Sequence, residues 1–151
     1  MVKKIPDGYR TVTPYLYLKG ASDAIDFYKK AFGAEELVRM GGPDGAIGHA
    51  EIKIGDSMIM LADEDPQRGA QSPSTLGGCS SGILLYVEDS DAVFKQAVGA
   101  GASVIEAIED KFYGDRAGAI VDPFGQRWDI HTHTEDVTPE EMERRMAALA
   151  G

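Results

Sequence analysis

Two short runs hold most of the chain's polar chemistry. His49-Ala50-Glu51 sets an imidazole and a carboxylate two residues apart, and on a β-strand that spacing puts both on one face. Arg127-Trp128-Asp129-Ile130-His131 does the same for a guanidinium, a carboxylate and a second imidazole. Three kinds of chemistry suit these sets. The groups can satisfy one another by hydrogen bonding inside a partly buried sheet, where polar atoms must find partners. They can fix the polar end of a ligand in a pocket otherwise made of aromatic and methionine surface. Or Glu51 or His49 can act as a general base on an acidic C–H bond, a role that no separate acid, nucleophile or metal motif accompanies.

Other residues read more plainly. His131-Thr132-His133 has the spacing of a metal pair, but it also arises on strands with no such role. His131 is a site candidate, whereas His133, beside Glu135 and Asp136, reads as a surface or hydrogen-bonding residue. Tyr113-Gly114-Asp115-Arg116 sits in a loop ahead of a strand, where it could gate a pocket mouth. The simpler reading is an Asp115–Arg116 contact that stiffens the turn. Cys79 lies in a Gly- and Ser-rich stretch without a nearby His, which argues against a catalytic thiol. Gly41 to Gly45 lacks the Lys and the following helix of a phosphate loop. Trp128 alternates away from its polar neighbours and is expected in the core.

Composition narrows the partners. A chain of 151 residues is one domain's worth, and a globule of that size buries roughly 68–70% of its unfolded surface without help from a metal or disulfide. The formal charge of −10 disfavours nucleic acid and anionic membrane, which attract Lys and Arg. The single cysteine fits a reducing compartment. Met1 to Asp7 shows no apolar run, so no signal peptide is expected, and no window is long enough to span a bilayer. These features point to a cytoplasmic protein.

The elements that must position the polar runs come as a repeat. The segment from Tyr17 to Ala34 echoes that from Tyr86 to Ala102: strand, short acidic turn, amphipathic helix, then Gly-Ala before another strand. Ser22 and Ser90 are the expected helix N-caps, with Gly33 and Gly101 as C-terminal stops. Extended stretches are expected at 13–18, 48–54, 57–62, 82–87, 117–121 and 127–132, with shorter ones at 37–40 and 104–107. Ile54-Gly55-Asp56-Ser57 reads as a tight hairpin and Asp122-Pro123-Phe124-Gly125 as a second turn. Asp65 to Cys79 is the linker. Modules at about 10–64 and 80–135 thus make a duplicated α+β unit within a single domain, 1–151. A C-terminal helix over 138–150 opens with the capping pattern Thr138-Pro139-Glu140-Glu141. It carries Met142, Met146 and Leu149 on one side, as a docking stripe for its own subunit or a neighbour.

In order and spacing, Asp26-Phe27-Tyr28, Phe32-Gly33-Ala34, Gly48-His49-Ala50-Glu51, Ile54-Gly55-Asp56-Ser57, Tyr113-Gly114-Asp115-Arg116 and Asp122 to Trp128 resemble the vicinal-oxygen-chelate superfamily. This is the glyoxalase/bleomycin-resistance/extradiol dioxygenase group, and the pattern looks most like its PhnB-like subgroup. The resemblance implies two βαβββ modules forming U-shaped mixed sheets whose concave face holds a small molecule, in dimers whose cavities border the subunit interface. It also implies a divalent ion held from four strands. Carried over one at a time, those places fall on Thr13, Met60, Gly82 and Asp129. Only Asp129 is a competent ligand, so no metal cofactor is expected beyond a weakly held divalent ion.

With Met60 turned toward the cavity and Gly55-Asp56 as a two-residue loop, Glu51 pairs with Met60, and His49, Glu51 and Lys53 face inward. Ala50, Ile52, Ile54, Ile59 and Leu61 then make the apolar face beneath the helices. The same parity turns Thr13, Tyr15, Tyr17, Met58, Leu84, Tyr86, Arg127, Asp129 and His131 toward one pocket, with Tyr113 at its mouth. The expected function is binding of a small organic ligand without the classical metal site, with drug binding or resistance as one form of it. The alternative is a lyase, isomerase or dioxygenase-like enzyme using Glu51, His49 and Asp129.

Overall fold

The computed structural model describes all 151 residues. Strand β1 (Tyr15–Leu18), helix α1 (Ala21–Phe32) and strands β2 (Glu35–Gly41), β3 (Ile47–Ile54) and β4 (Ser57–Asp63) form the first βαβββ module. A 3-10 turn (Pro66–Arg68) and the short helix α2 (Pro73–Leu76) occupy the linker. Strand β5 (Gly82–Tyr86), helix α3 (Ser90–Ala100) and strands β6 (Ser103–Asp110), β7 (Asp115–Val121) and β8 (Arg127–His133) repeat the pattern, and helix α4 (Pro139–Ala150) follows. The sheets run β1-β4-β3-β2 and β5-β8-β7-β6, each with one parallel pair, β1 with β4 and β5 with β8.

The first sheet has the expected register: Glu51 lies opposite Met60 and Ile54 opposite Ser57. Gly55 supplies the positive φ (57°) that the two-residue loop requires. Because the side-chain period is two, that register sends Ala50, Ile52, Ile54, Ile59 and Leu61 into the core beneath α1. The second sheet sends Ile120, Trp128 and Ile130 into the same core, so one cluster of 20 buried residues spans both modules. Helices α1 and α3 lie against each other. Trp128, fully buried as expected, packs on Phe32 and Tyr28 with ring centroids 4.7 and 5.2 Å away.

The turn at Asp122 ties the modules together. Its carboxylate accepts from the backbone N–H of Phe124 and Gln126 in its own turn. It also accepts from the Tyr28 hydroxyl of α1 at 2.6 Å and from Trp128 Nε1 at 2.9 Å. Burial, reinforced by the Asp122 charge, pushes the Tyr28 phenol well above its ordinary range and keeps it a donor.

The helix starts differ from expectation. Asp63, at the end of β4, accepts from the N–H of Gly20, Ala21 and Ile47, so α1 is capped from a distant strand. Ser22 instead accepts from Arg39. Helix α3 is capped by Asp89, which accepts from Ala92 N, while the Ser90 hydroxyl is buried without a partner. Ser22 stands two residues and Ser90 one residue past the N-cap position, too far into their helices for a side-chain oxygen to reach the free N–H groups. Gly33 and Gly101 do end their helices. Thr138 caps α4 by accepting from Glu141 N, but the Glu141 carboxylate turns to Arg144 and Arg145 rather than completing a capping box. Arg145 holds α4 to the body through Glu135 and the Phe112 carbonyl. The apolar stripe is covered by its own subunit only in part: Met142 is half-buried, whereas Met146 and Leu149 are exposed.

Candidate functional site

With one face of each sheet committed to the shared core, the opposite faces stay open, and each carries a tyrosine–histidine–acid set. On the first sheet Tyr15 and Tyr17 are adjacent, with ring centroids 5.0 Å apart. The Tyr15 hydroxyl lies 2.9 Å from His49 Nδ1, and His49 Nε2 lies 3.2 Å from Glu51 Oε2. A carboxylate only accepts, so Nε2 donates to Glu51 and Nδ1 accepts from Tyr15. Burial and the neighbouring Tyr17 raise the Tyr15 phenol, against an opposing effect of Arg68, so its proton stays on. Both nitrogens of His49 are therefore engaged. Beside this set opens a cavity of about 840 Å³ bordered by Tyr15, Tyr17, Met40, His49 and Arg68.

On the second sheet Asp115 is the hub. It is buried, and its carboxylate lies 2.9 Å from His131 Nδ1, 2.9 Å from His133 Nδ1 and 3.2 Å from the Tyr86 hydroxyl. Burial raises the Asp115 carboxyl, but the hydrogen bonds from His131, His133 and Tyr86 together outweigh it and hold the group below its ordinary value. His133 also reaches Asp136 at 2.8 Å, and Asp136 and then Asp115 raise its pKa. Tyr113 lies along His131, with centroids 6.3 Å apart and planes 25° apart. Further along β8, Arg127 grips Asp129 in a two-point fork at 3.0 and 2.9 Å.

The single pocket expected from the sequence is not formed. Tyr15, Tyr17 and His49 border the first cavity. Thr13, Met58, Leu84 and Tyr86 line a separate groove of about 650 Å³, between the N-terminal segment, the β3–β4 hairpin and β5. Arg127, Asp129 and His131 belong to the second sheet, with Tyr113 in its β6–β7 turn, and that sheet shares no strand pairing with the first. Met60 lies between Tyr15 and Glu51 across the first sheet.

A model of the Glyoxalase/Bleomycin resistance protein/Dioxygenase superfamily matches residues 12–130. The chain belongs to that superfamily. It is 43% identical over 140 residues to protein Rv0887c of Mycobacterium tuberculosis, covering 91% of this chain and 82% of that one. Its structure is similar to that of the At5g48480 gene product of Arabidopsis thaliana, with 27% identity, a TM-score of 0.66 and coverage of 84% and 99% of the two chains. It shares its fold with a PhnB protein from Bacillus cereus at 16% identity and a TM-score of 0.64, covering 82% and 99%.

Of the four places where the resemblance puts metal ligands, only Asp129 carries a carboxylate or imidazole; the others are Thr13, Met60 and Gly82. Thr13 precedes β1, Met60 lies on β4 and Gly82 opens β5. Asp129 is occupied by Arg127, and a Cβ at Gly82 would meet Asp129 Oδ2 at 3.0 Å. No group of three or more His, Cys, Asp or Glu side chains is placed to hold an ion.

Sequence reasoning missed Asp115, Met40 and Arg68. Strand β7 begins at Asp115 rather than Ala117, so Asp115 takes the parity of Ala117 and Ala119 and lies opposite His133. The expected Asp115–Arg116 contact does not form. Adjacent strand residues point to opposite faces, and Arg116 pairs with Asp91 and Asp110 instead. The alternation was there to be read, but the glycine at 114 made the segment look like a loop. His133 has the hydrogen-bonding role expected of it.

Proposed function

We propose that this protein binds a flat, amphipathic organic molecule on the open face of its first module and holds no tightly bound catalytic metal. The carrying observation is the cavity bordered by Tyr15, Tyr17, Met40, His49 and Arg68. Two tyrosines and a methionine offer apolar contact, and the Arg68 guanidinium, free of any ion pair within the chain, can take an acceptor or anionic group. Bleomycin resistance proteins stand in the superfamily's description beside glyoxalases and dioxygenases, and an antibiotic-like or aromatic ligand held rather than altered is the form of binding that they suggest. We take the working unit to be a cytoplasmic homodimer in which a second copy covers an open sheet face. In one chain Glu51 and His49 lie on the first sheet and Asp129 on the second, so the three residues of an enzymatic reading do not converge.

A thermal-shift screen of planar aromatic compounds, with and without a chelator, tests the proposal. The expected hit raises the melting temperature equally under both conditions and loses its effect in Tyr17→Ala and Arg68→Ala. A hit that disappears with chelator, or a near-stoichiometric metal lost on mutating His49 or Asp129, would overturn the metal-free reading. Glu51→Gln separates holding from turnover. Conversion of the hit by wild type but not by the variant, with binding intact, would establish catalysis instead.

A further inference from the structure

The segment that joins the modules also reaches the first-module cavity. Leaving β4, the chain makes a loop whose neck is closed by backbone bonds, from Asp65 N to the Ala70 carbonyl at 2.7 Å and from Ala70 N to the Asp65 carbonyl at 3.0 Å. The 3-10 turn inside it carries Arg68, and Asp65, Arg68 and Ala70 border the cavity beside Tyr15 and Tyr17. Beneath the neck, the Glu64 carboxylate accepts from the Ser72 hydroxyl at 2.9 Å and from the Thr75 hydroxyl at 2.6 Å. The Thr75 bond first, against burial, and then the Ser72 bond hold the Glu64 carboxyl below its ordinary range. Helix α2 also rests on the second module. Ser74 donates to the Phe124 carbonyl, and Pro73 stands so near Gly125 that a Cβ there would meet it at 2.9 Å.

The loop brings a cation to a rim otherwise made of acids. Arg39, Arg116, Arg127, Arg144 and Arg145 are all engaged in ion pairs, whereas Arg68 has none. Of the acids on the same rim, Asp63 is taken by three backbone N–H groups and Glu64 by two hydroxyls, which leaves the Asp65 side chain without a partner. Of the two free charges, Arg68 is the one whose field reaches the Tyr15 phenol. The chain's charge of −10 works against an anion, but salt screens that field beyond about 8–10 Å. Selection at this mouth therefore falls to the nearest unpaired group.

We propose that the inter-module linker sets the charge preference of the first-module cavity: Arg68 selects a planar ligand bearing a carboxylate over its neutral counterpart, and Glu64, by fastening Ser72 and Thr75 beneath the neck, positions it. This rests on the first-module reading above and adds the ligand's charge and the part of the chain that reads it. The selecting group comes from outside both sheets, on a segment that is seated further along on the second module.

Calorimetric titration with 2-naphthoate and 2-naphthamide, which share their rings and differ in charge, tests it. Wild type should bind the carboxylate about fivefold tighter, the upper value for one exposed ion pair. Arg68→Gln should erase that preference, and Asp65→Asn should enlarge it. Thr75→Val removes a hydroxyl that does not border the cavity. It should weaken the carboxylate more than the amide and lower the exchange protection of the Asp65 and Ala70 amides, and Thr75→Ser should restore both. Amide bound as tightly as carboxylate by wild type, or a preference that survives Arg68→Gln, would overturn the linker's role and leave the first-module site standing. Equal weakening of both compounds in Thr75→Val would make the Glu64 grip merely structural and overturn its positioning role. Binding of neither compound would overturn the first-module reading and this inference together.

Discussion

The two modules share a plan but place their polar groups on opposite strands. In the first, His49 and Glu51 project from β3, and β4 answers with Met58, Met60 and Ala62. In the second, Arg127, Asp129 and His131 project from β8, and β7 answers with Ala117 and Ala119. Each open face can hold one layer of large side chains, so bulk on one strand goes with small or flexible residues on its neighbour. Hydrogen bonding differs as well. His49 spends both nitrogens on residues of its own sheet, whereas His131 spends one on Asp115 and keeps the other. A duplicated scaffold thus gives one face whose histidine is a closed link and one whose histidine is an open acceptor.

The helices show the same asymmetry. Six residues of α1 are buried but only two of α3, so the shared core is centred on the first helix. Trp128→Ala tests this most severely. It removes the second module's largest fully buried side chain from beneath α1 and should cost about 3–5 kcal/mol in denaturant unfolding, in one cooperative transition. Two separated transitions would show that the modules do not share a core.

Capping gives the next largest contrast. Asp63 holds three backbone N–H groups of the first module, two of them at the start of α1, whereas Asp89 holds one at the start of α3. Asp63→Ala should cost about 2–3 kcal/mol and Asp89→Ala about 1 kcal/mol. Equal losses would mean that the distant cap is no better than the local one. Ser22→Ala should fall within about 0.5 kcal/mol of wild type, since Ser22 does not cap.

The smallest effect is one of pH and belongs to the second module alone. His133 has a raised pKa, from Asp136 first and then Asp115, so its contribution is complete below the ordinary histidine value and is lost as pH rises through the raised one. Asp115 has a lowered pKa, so its contribution is present above the ordinary carboxylate value and is lost as pH falls through the lowered one. The β8 end and the segment to Asp136 should therefore be best protected between those limits. Amide protection factors at residues 131–137, taken relative to the base-catalysed exchange of an unfolded chain at each pH, should fall on the alkaline side, and His133→Asn should remove that fall. An unchanged alkaline limb in the variant would dissociate His133 from it.

Much of the fold was legible because its signals are local. The alternation through Ala50, Ile52 and Ile54 and the hairpin at Gly55 set a register, and a one-residue slip would have turned that apolar set to solvent. Gly33 and Gly101 marked helix ends because a positive φ suits glycine. The candidate site was legible face by face: Tyr15, Tyr17, His49 and Glu51 do lie together, as do Arg127, Asp129 and His131. The cap on α1 was not legible, because Asp63 lies 42 residues from Ala21. Nor was the role of Asp115, whose partners come from two other strands, Tyr86 on β5 and His131 and His133 on β8.

The sequence by itself determined the duplicated βαβββ plan, the strand parity and hence which side chains share a face, since period and turn chemistry act over a few residues. Tertiary structure alone decided which faces close on each other. It joined the helix sides of both sheets through Trp128, Tyr28 and Asp122, and so left the two polar faces apart. Parity fixes the side of a sheet on which a residue stands. What lies opposite that side depends on how whole layers pack to remove the most apolar surface from water.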